Sequence, residues 1–402
     1  VAPPLPRPPR RAGAAQALAV TPTDADPASD SPEGDAPPRW RSPLAVGIGL
    51  HLAVWVPAVV GLIAFNRPSW HPIADLAQTE LRVRDVGTSH TPLVGLAGRI
   101  GPWYDPGSHP GPLSFWAVAP VYRMLGSSPF ALSAASMVLH AGAHAAALAL
   151  ALRRGGVHLM VAIGAAVAVA VHAYGIVVFA EPWNPYMPVL WWLVVVLAVW
   201  SVLDGDRWML VVAVAAGSFC AQTHLPYLGL VGGLGAVAVG GLGLAWWSAR
   251  SDPARGRIWP VIAVAAAVGL ALWAAPLIDQ VDGVGNLSRV RDSMLHPEGE
   301  PVGLVTGAQQ VVERYGLGQW THRLDVNAPP AAASGWNASG VVVLAAWAVA
   351  AALSWVRGVG PDALRRLHIV LGSGLLLGVY ASSRIHGELW FYLYLWAGIL
   401  SL

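Results

Sequence analysis

Charge is scarce in this sequence. Only 11% of its 402 residues are charged, against 55% hydrophobic and a mean hydropathy of +0.54, where a soluble domain carries about 25% charged residues. So few charges cannot clothe a water-facing surface, and lipid must be the solvent for much of the chain. Lysine is absent altogether: all 24 basic residues are arginine. With the abundant Ala, Gly, Pro and Val, that points to a high-GC, actinobacterial-like genome. The net charge of +2 and the lack of any basic run argue against a nucleic-acid partner. The single cysteine, Cys220, excludes a disulfide framework and a cysteine-based metal cluster. It reads as a small apolar residue of a buried helix.

Residues 1–42 are rich in Pro, Ala, Asp and Arg without apolar periodicity, the composition of a disordered tail. They do not follow the plan of a cleaved signal peptide. The remainder, 43–402, reads as one transmembrane domain. A helix needs about 20 apolar residues to cross a bilayer, and suitable stretches run over 43–65, 129–152, 157–180, 186–203, 208–222, 226–247, 258–278, 340–355 and 367–383. Another opens at Leu389 and runs into the C-terminus, so the sequence is expected to be truncated within a span. The expected fold is all-α and polytopic, with about ten transmembrane helices.

Arginine placement orients these spans, because short basic loops stay on the cytoplasmic side. With Arg39 and Arg41 inside, alternation also puts Arg153 and Arg154 inside. Arg207, then Arg250, Arg255 and Arg257, then Arg357, Arg365 and Arg366 follow. The stretch 112–125 is too short to span. Counted as a span, it would throw Arg153 and Arg154 outside, so it reads as an interfacial helix. The outer side then holds a first loop (66–128), short turns at 181–185, 223–225 and 384–388, and a large loop at 279–339. Many of the 20 Trp lie near span ends, where indole suits the headgroup region.

The first outer loop gathers Asp75, Glu80, Asp85 and Asp105 with Arg82, Arg84, Arg99, His90 and His109. If the stretch around Asp75 is one helix, at about 100° per residue, Asp75 shares a face with Gln78, Thr79 and Arg82. Glu80 then points away, and the two carboxylates cannot serve one pocket. Asp75 follows the first span closely, where a carboxylate can act on a substrate whose other end lies in lipid. Sugar transfer from a polyprenyl phosphate needs a base for the acceptor's proton. It also needs cationic or donor groups for the departing phosphate.

From His109 to Ser136 the chain reads HPGPLSFWAVAPVYRMLGSSPFALSAAS. Here it resembles the GT-C glycosyltransferases, and within them the protein O-mannosyltransferase and aminoarabinose transferase group. That group carries an acidic residue in the first outer loop, then a basic residue and PPL. An aromatic-rich short helix ending in glycine follows, and then the second span. Asp75, the run from His109 to Leu113, Phe115, Trp116 and Gly126 match that order. His109 stands where lysine is common, and Gly111 separates the two prolines. Glu181, in FAEPWNPYMP, falls where the family often places a second carboxylate. QTHLPY (222–227) and PLIDQVDGVGNLS (276–288) look like segments of actinobacterial relatives.

The resemblance implies a GT-C-like fold in a bacterial plasma membrane with its active site on the outer face. It implies an inverting glycosyltransferase that moves a sugar from a polyprenyl-phosphate donor to a glycan, lipid or protein acceptor. Asp75 would be the catalytic base, and Glu80 or Glu181 a second carboxylate orienting acceptor or metal. Arg82, His109 and Arg384 would contact the donor phosphate, with His224 a further substrate contact. A divalent metal is left open as cofactor, and no metal-ligand set stands out. Two other classes fit a polytopic chain. A transporter or lipid flippase would carry ionisable residues at mid-membrane and interrupted helices in corresponding halves, whereas these spans are nearly free of Asp, Glu and Arg and show no repeat. An envelope polysaccharide polymerase or ligase would use late-loop residues such as Arg289, Arg291, Arg314 and His322.

Several other signals read as structural. His140 and His144 share a helical face inside a span and are expected to bond a neighbouring helix, as are His51 and His172. The glycine-rich run 229–243 is helix-packing material. Asn286 and Asn337 head outer-side sequons. Glu181 alternatively caps a turn before Pro182, His224 satisfies one, and Arg384, His386 and Glu388 form a surface ion-pair cluster.

Overall fold

The computed structural model describes residues 42–402 except 65, 68, 103, 250–257, 298 and 327–334. The expected tail, apart from Ser42, lies outside the described residues, as do Arg39, Arg41, Arg250, Arg255 and Arg257. Regular structure among the described residues is helical throughout. In chain order the helices are α1 (Pro43–Ala64), α2 (Ala74–Asp85), α3 (Leu113–Met124), α4 (Pro129–Tyr174), α5 (Ile176–Ala180), α6 (Val189–Leu203), α7 (Met209–Thr223) and α8 (Pro226–Ser248). There follow α9 (Ile258–Asp282), α10 (Asn286–Leu295), α11 (Gly303–Arg314), α12 (Gly318–Thr321), α13 (Ala338–Val356), α14 (Asp362–Ser383) and α15 (Leu395–Ser401), the last entered through a 3-10 turn at Phe391–Tyr394. Six of them, α1, α4, α8, α9, α13 and α14, are long and apolar enough to cross a membrane. The shorter apolar helices α6 and α7 pack among them.

Helix α4 is two limbs. Ser128 starts it, its Oγ accepting the Ala131 N–H at 3.2 Å with Pro129 in the first turn, the usual opening of a helix. Gly156, at φ +66°, breaks it, a conformation that a side chain disfavours. The chain folds back there: the rings of His140 and Phe179 lie 5.1 Å apart, whereas an unbroken helix would separate them by about 58 Å. The break falls just after Arg153 and Arg154, where the sequence separates 129–152 from 157–180. α1 packs along both limbs, and Trp55 Nε1 donates to His144 Nδ1 at 3.0 Å. His51 stacks on the same His144 at 5.2 Å. His144 thus bonds between helices, as expected, whereas His51 stacks on it and both ring nitrogens of His140 lack a partner among the described residues.

One cluster of ion pairs sits at one end of the bundle. Arg153 pairs with Asp206, and both Arg154 and Arg366 pair with Asp204. Arg365 donates to Ser354 O at 2.8 Å and to Asp362 at 2.7 Å. The turns after the first limb of α4, after α6 and before α14, grouped by arginine alternation, thus meet in space. At the opposite end lie α2, α3 and the loop between them, together with the segments after α5, α7, α9 and α14. Cross-links join these: Ser108 to Asn286, Leu225 to His109, and Val302 to Ile385.

At 12 residues each, α2 and α3 reach only about 18 Å and lie at this end, α3 packing on α4 and α7. Glu80 staples them: Tyr122 Oη donates to Glu80 Oε1 at 2.6 Å, Arg84 Nη2 donates to the same oxygen at 2.6 Å, and Arg84 Nε donates to Tyr122 Oη at 2.9 Å. Tyr122→Phe should cost about 1.5–3 kcal/mol, the value of a hydrogen bond to a charged group. A fall in the melting midpoint of the purified protein would measure it.

Candidate functional site

Asp75 occupies the first turn of α2, where the exposed N–H groups and helix dipole favour a carboxylate. The preceding residue, Ala74, holds φ at +48°, a strained value for a residue with a side chain, so the approach to Asp75 is fixed at a cost. Its Oδ2 accepts the Trp183 indole N–H at 2.8 Å, and Asp75 makes no other hydrogen bond among the described residues. Trp183 in turn packs edge-on against Tyr186 at 4.9 Å and Tyr392 at 4.8 Å.

Charges surround this aromatic platform. Arg99, Asp75 and Glu388 all act electrostatically on the Tyr392 hydroxyl, and Glu181 and Asp325 on that of Tyr186. Glu181 itself makes no hydrogen bond or ion pair among the described residues, and burial raises its pKa above the usual carboxylate value. A recess of about 340 Å³ opens beside the platform, lined by Tyr174, Val177, Arg323, Leu324, Asp325 and Val326. The arrangement orients one carboxylate with an indole N–H and places a second, whose pKa burial raises, near the same rings.

The raised pKa has a stability consequence. The folded chain holds the Glu181 proton more tightly than the unfolded chain, so this contribution is lost as pH rises through the folded value. Glu181→Gln should therefore melt higher than wild type at pH 8, the two converging near pH 4. A residue whose removal stabilises the fold is one retained for another reason.

Deeper in, a neutral polar chain fixes the loops. His109 is 7% exposed, and burial pulls its pKa down to about 4. Its Nδ1 accepts the Leu225 N–H at 3.1 Å, so the proton of the neutral ring sits on Nε2, 2.6 Å from the Asn184 amide. That proton requires the amide oxygen of Asn184 opposite it, the orientation assigned by the network. Asn184 also approaches His224 Nδ1 at 3.5 Å. Burial, followed by the neighbouring His109, lowers the His224 pKa well below its usual value. Its Nε2 has no partner among the described residues. Gly111, between the two prolines, lets this loop approach α7, since a Cβ there would run into the Gln222 side chain.

The residues implied by resemblance thus separate. Asp75 accepts from Trp183, and Glu181 acts electrostatically on Tyr186, which packs on the same indole. Glu80 does not join them: as the single-helix geometry requires, it faces away and is committed to Arg84 and Tyr122. His109 is placed as a neutral, doubly bonded fixture instead of a cation facing a ligand, the physical reason being its burial. Arg82 and Arg384 are exposed on α2 and at the end of α14. Of the late-loop set, Arg289 pairs with Asp105, Arg291 with Asp292, and His322 is exposed beside Thr321. Among the described residues, no group of three or more His, Cys, Asp or Glu is disposed to hold a metal ion.

Sequence reasoning passed over Trp183, Asn184, Tyr186 and Tyr392, although the first three lie within the quoted FAEPWNPYMP. It also took Asn286 for a sequon. Asn286 is 1% exposed, and its amide clamps the Ser108 backbone, accepting at 2.8 Å and donating at 2.9 Å. Asp279 anchors it by accepting its backbone N–H at 2.8 Å. Comparison with protein-family models, curated proteins and solved structures gives no match to the chain.

Proposed function

We propose that this chain is an inverting glycosyltransferase of the GT-C type. It has about ten spans, acts at the outer face of a bacterial plasma membrane and uses a polyprenyl-phosphate sugar as donor. The arginine-paired end is cytoplasmic, and the end bearing Asp75 is outside. The observation that carries this reading is Asp75 itself: a carboxylate at the start of a short helix, oriented by Trp183 Nε1 at 2.8 Å, with a second, protonatable carboxyl near the same aromatic platform.

The acceptor hydroxyl gives its proton to Asp75 as its oxygen bonds the anomeric carbon of the sugar. The bond from that carbon to the phosphate oxygen breaks, and polyprenyl phosphate leaves with the electron pair. Attack opposite the leaving group inverts the centre. Trp183 holds the base in one orientation, so little reorganisation is needed at the moment of transfer. Transport is disfavoured by the charge distribution: the ion pairs gather at the ends of the spans instead of at their middles, where translocation sites hold ionisable groups.

The two enzymatic readings separate in one assay of sugar transfer in membranes. Asp75→Asn should abolish transfer, and Arg289→Gln with Arg291→Gln should leave most of it. The reverse pattern would favour a polymerase or ligase and remove this reading.

A further inference from the structure

Arg314 closes α11 and is largely enclosed, yet it differs from the other enclosed arginine, Arg154, which pairs with Asp204. Among the described residues, no carboxylate oxygen lies within 4 Å of its guanidinium. Glu313 acts on it only at longer range, and its Oε1 faces the Gln319 amide at 3.5 Å. The guanidinium instead lies over the Phe391 ring at 4.2 Å, with the Tyr394 ring at 5.7 Å. Nη1 makes a long hydrogen bond of 3.3 Å to Gln319 Oε1, and Nε has no partner. Aromatic faces and one amide do not neutralise a charge taken out of water.

Two phenol hydroxyls lie nearby. The hydroxyls of Tyr174 and Tyr394 both lie within electrostatic range of the guanidinium. Among the described residues, Tyr394 Oη is buried without a partner, and Tyr174 Oη reaches Leu395 O at 3.4 Å and no other acceptor. Tyr174 also lines the recess of about 340 Å³ that holds Arg323 and Asp325. A guanidinium with no carboxylate oxygen within 4 Å among the described residues, beside two phenol hydroxyls that can donate, describes an anion site. A planar guanidinium with several N–H groups suits a tetrahedral oxyanion in particular.

We infer that Arg314, with Tyr174 and Tyr394, receives a phosphoryl group. Two sources share that chemistry, an amphiphile's phosphate monoester or free phosphate. Naming the amphiphile rests on the transferase reading, in which the departing polyprenyl phosphate would lodge here; the anion site itself rests on the unpaired guanidinium alone. It replaces Arg82, His109 and Arg384 as the place where negative charge is met.

The test uses the full chain in phosphatidylcholine nanodiscs, titrated separately with farnesyl phosphate, farnesol and inorganic phosphate. Binding is read by native mass spectrometry and by the rise in melting midpoint. Farnesyl phosphate should bind wild type at least tenfold more tightly than farnesol. Arg314→Gln should lose that advantage, Arg314→Lys should keep part of it, and Tyr394→Phe should weaken it by a smaller factor in a chain that retains its cation. Equal binding of inorganic phosphate would keep the site and assign it to the free ion. The inference is overturned if neither phosphate compound binds wild type, if farnesol binds as tightly as farnesyl phosphate, or if Arg314→Gln binds like wild type. Asp75→Asn should bind farnesyl phosphate normally, so a failed transferase reading leaves this result standing.

Discussion

Asp75→Asn should lower sugar transfer by about 10²–10⁴-fold, the range that a positioned general base contributes, at unchanged protein level. Asparagine preserves the shape and can still accept the Trp183 N–H through its amide oxygen, so the platform survives while the proton acceptor is lost. Asp75→Glu keeps the charge but moves the carboxylate along a longer arm, away from the indole, and should retain partial activity. Trp183→Phe keeps the base and removes its orienting donor, which predicts a smaller loss than Asp75→Asn. Rates measured in isolated membranes with a supplied polyprenyl-phosphate sugar order the three variants. Equal transfer by wild type and Asp75→Asn would remove the base.

At the opposite end, Asp204→Ala should destabilise the fold by about 3–5 kcal/mol, the cost of stripping a partner from a buried ion pair. Asp204 serves both Arg154 and Arg366, and the Arg154 and Asp204 side chains are only 13% and 12% exposed. Its loss leaves Arg154 largely enclosed without its carboxylate. Asp206→Ala makes the contrast, because its partner Arg153 is 60% exposed and an exposed pair contributes about 1 kcal/mol or less. Melting midpoints in one detergent should therefore fall much further for Asp204→Ala. A similar small shift in both would show that the arginine turns do not depend on this hub.

The six helices long and apolar enough to cross a membrane were legible because length and apolarity are local properties. The break within 129–174 was legible too, since two arginines and two glycines interrupt an otherwise apolar run. Arginine alternation grouped turns that the fold does bring together, and helical geometry already pointed Glu80 away from Asp75. What escaped depends on contacts between distant segments. Trp183 lies 108 residues from Asp75, and Asn184 links a loop before α3 to the end of α7. No periodicity announces either. Burial of loop residues escaped for a related reason: a polar residue in a loop looks solvated until packing is known. His109, expected at the donor phosphate, is buried, and Arg314, named only for the polymerase or ligase reading, lies enclosed over Phe391.

Covalent transfer would be visible in proteoliposomes holding only this chain. They would be loaded with a polyprenyl-phosphate sugar labelled in both sugar and lipid, and supplied with envelope acceptors from the source cells. Mass spectrometry should find the sugar on acceptor and polyprenyl phosphate released in equal amounts, with Asp75→Asn yielding neither. Donor recovered intact on the opposite leaflet, with no free polyprenyl phosphate formed, would contradict the account and identify a lipid transporter instead.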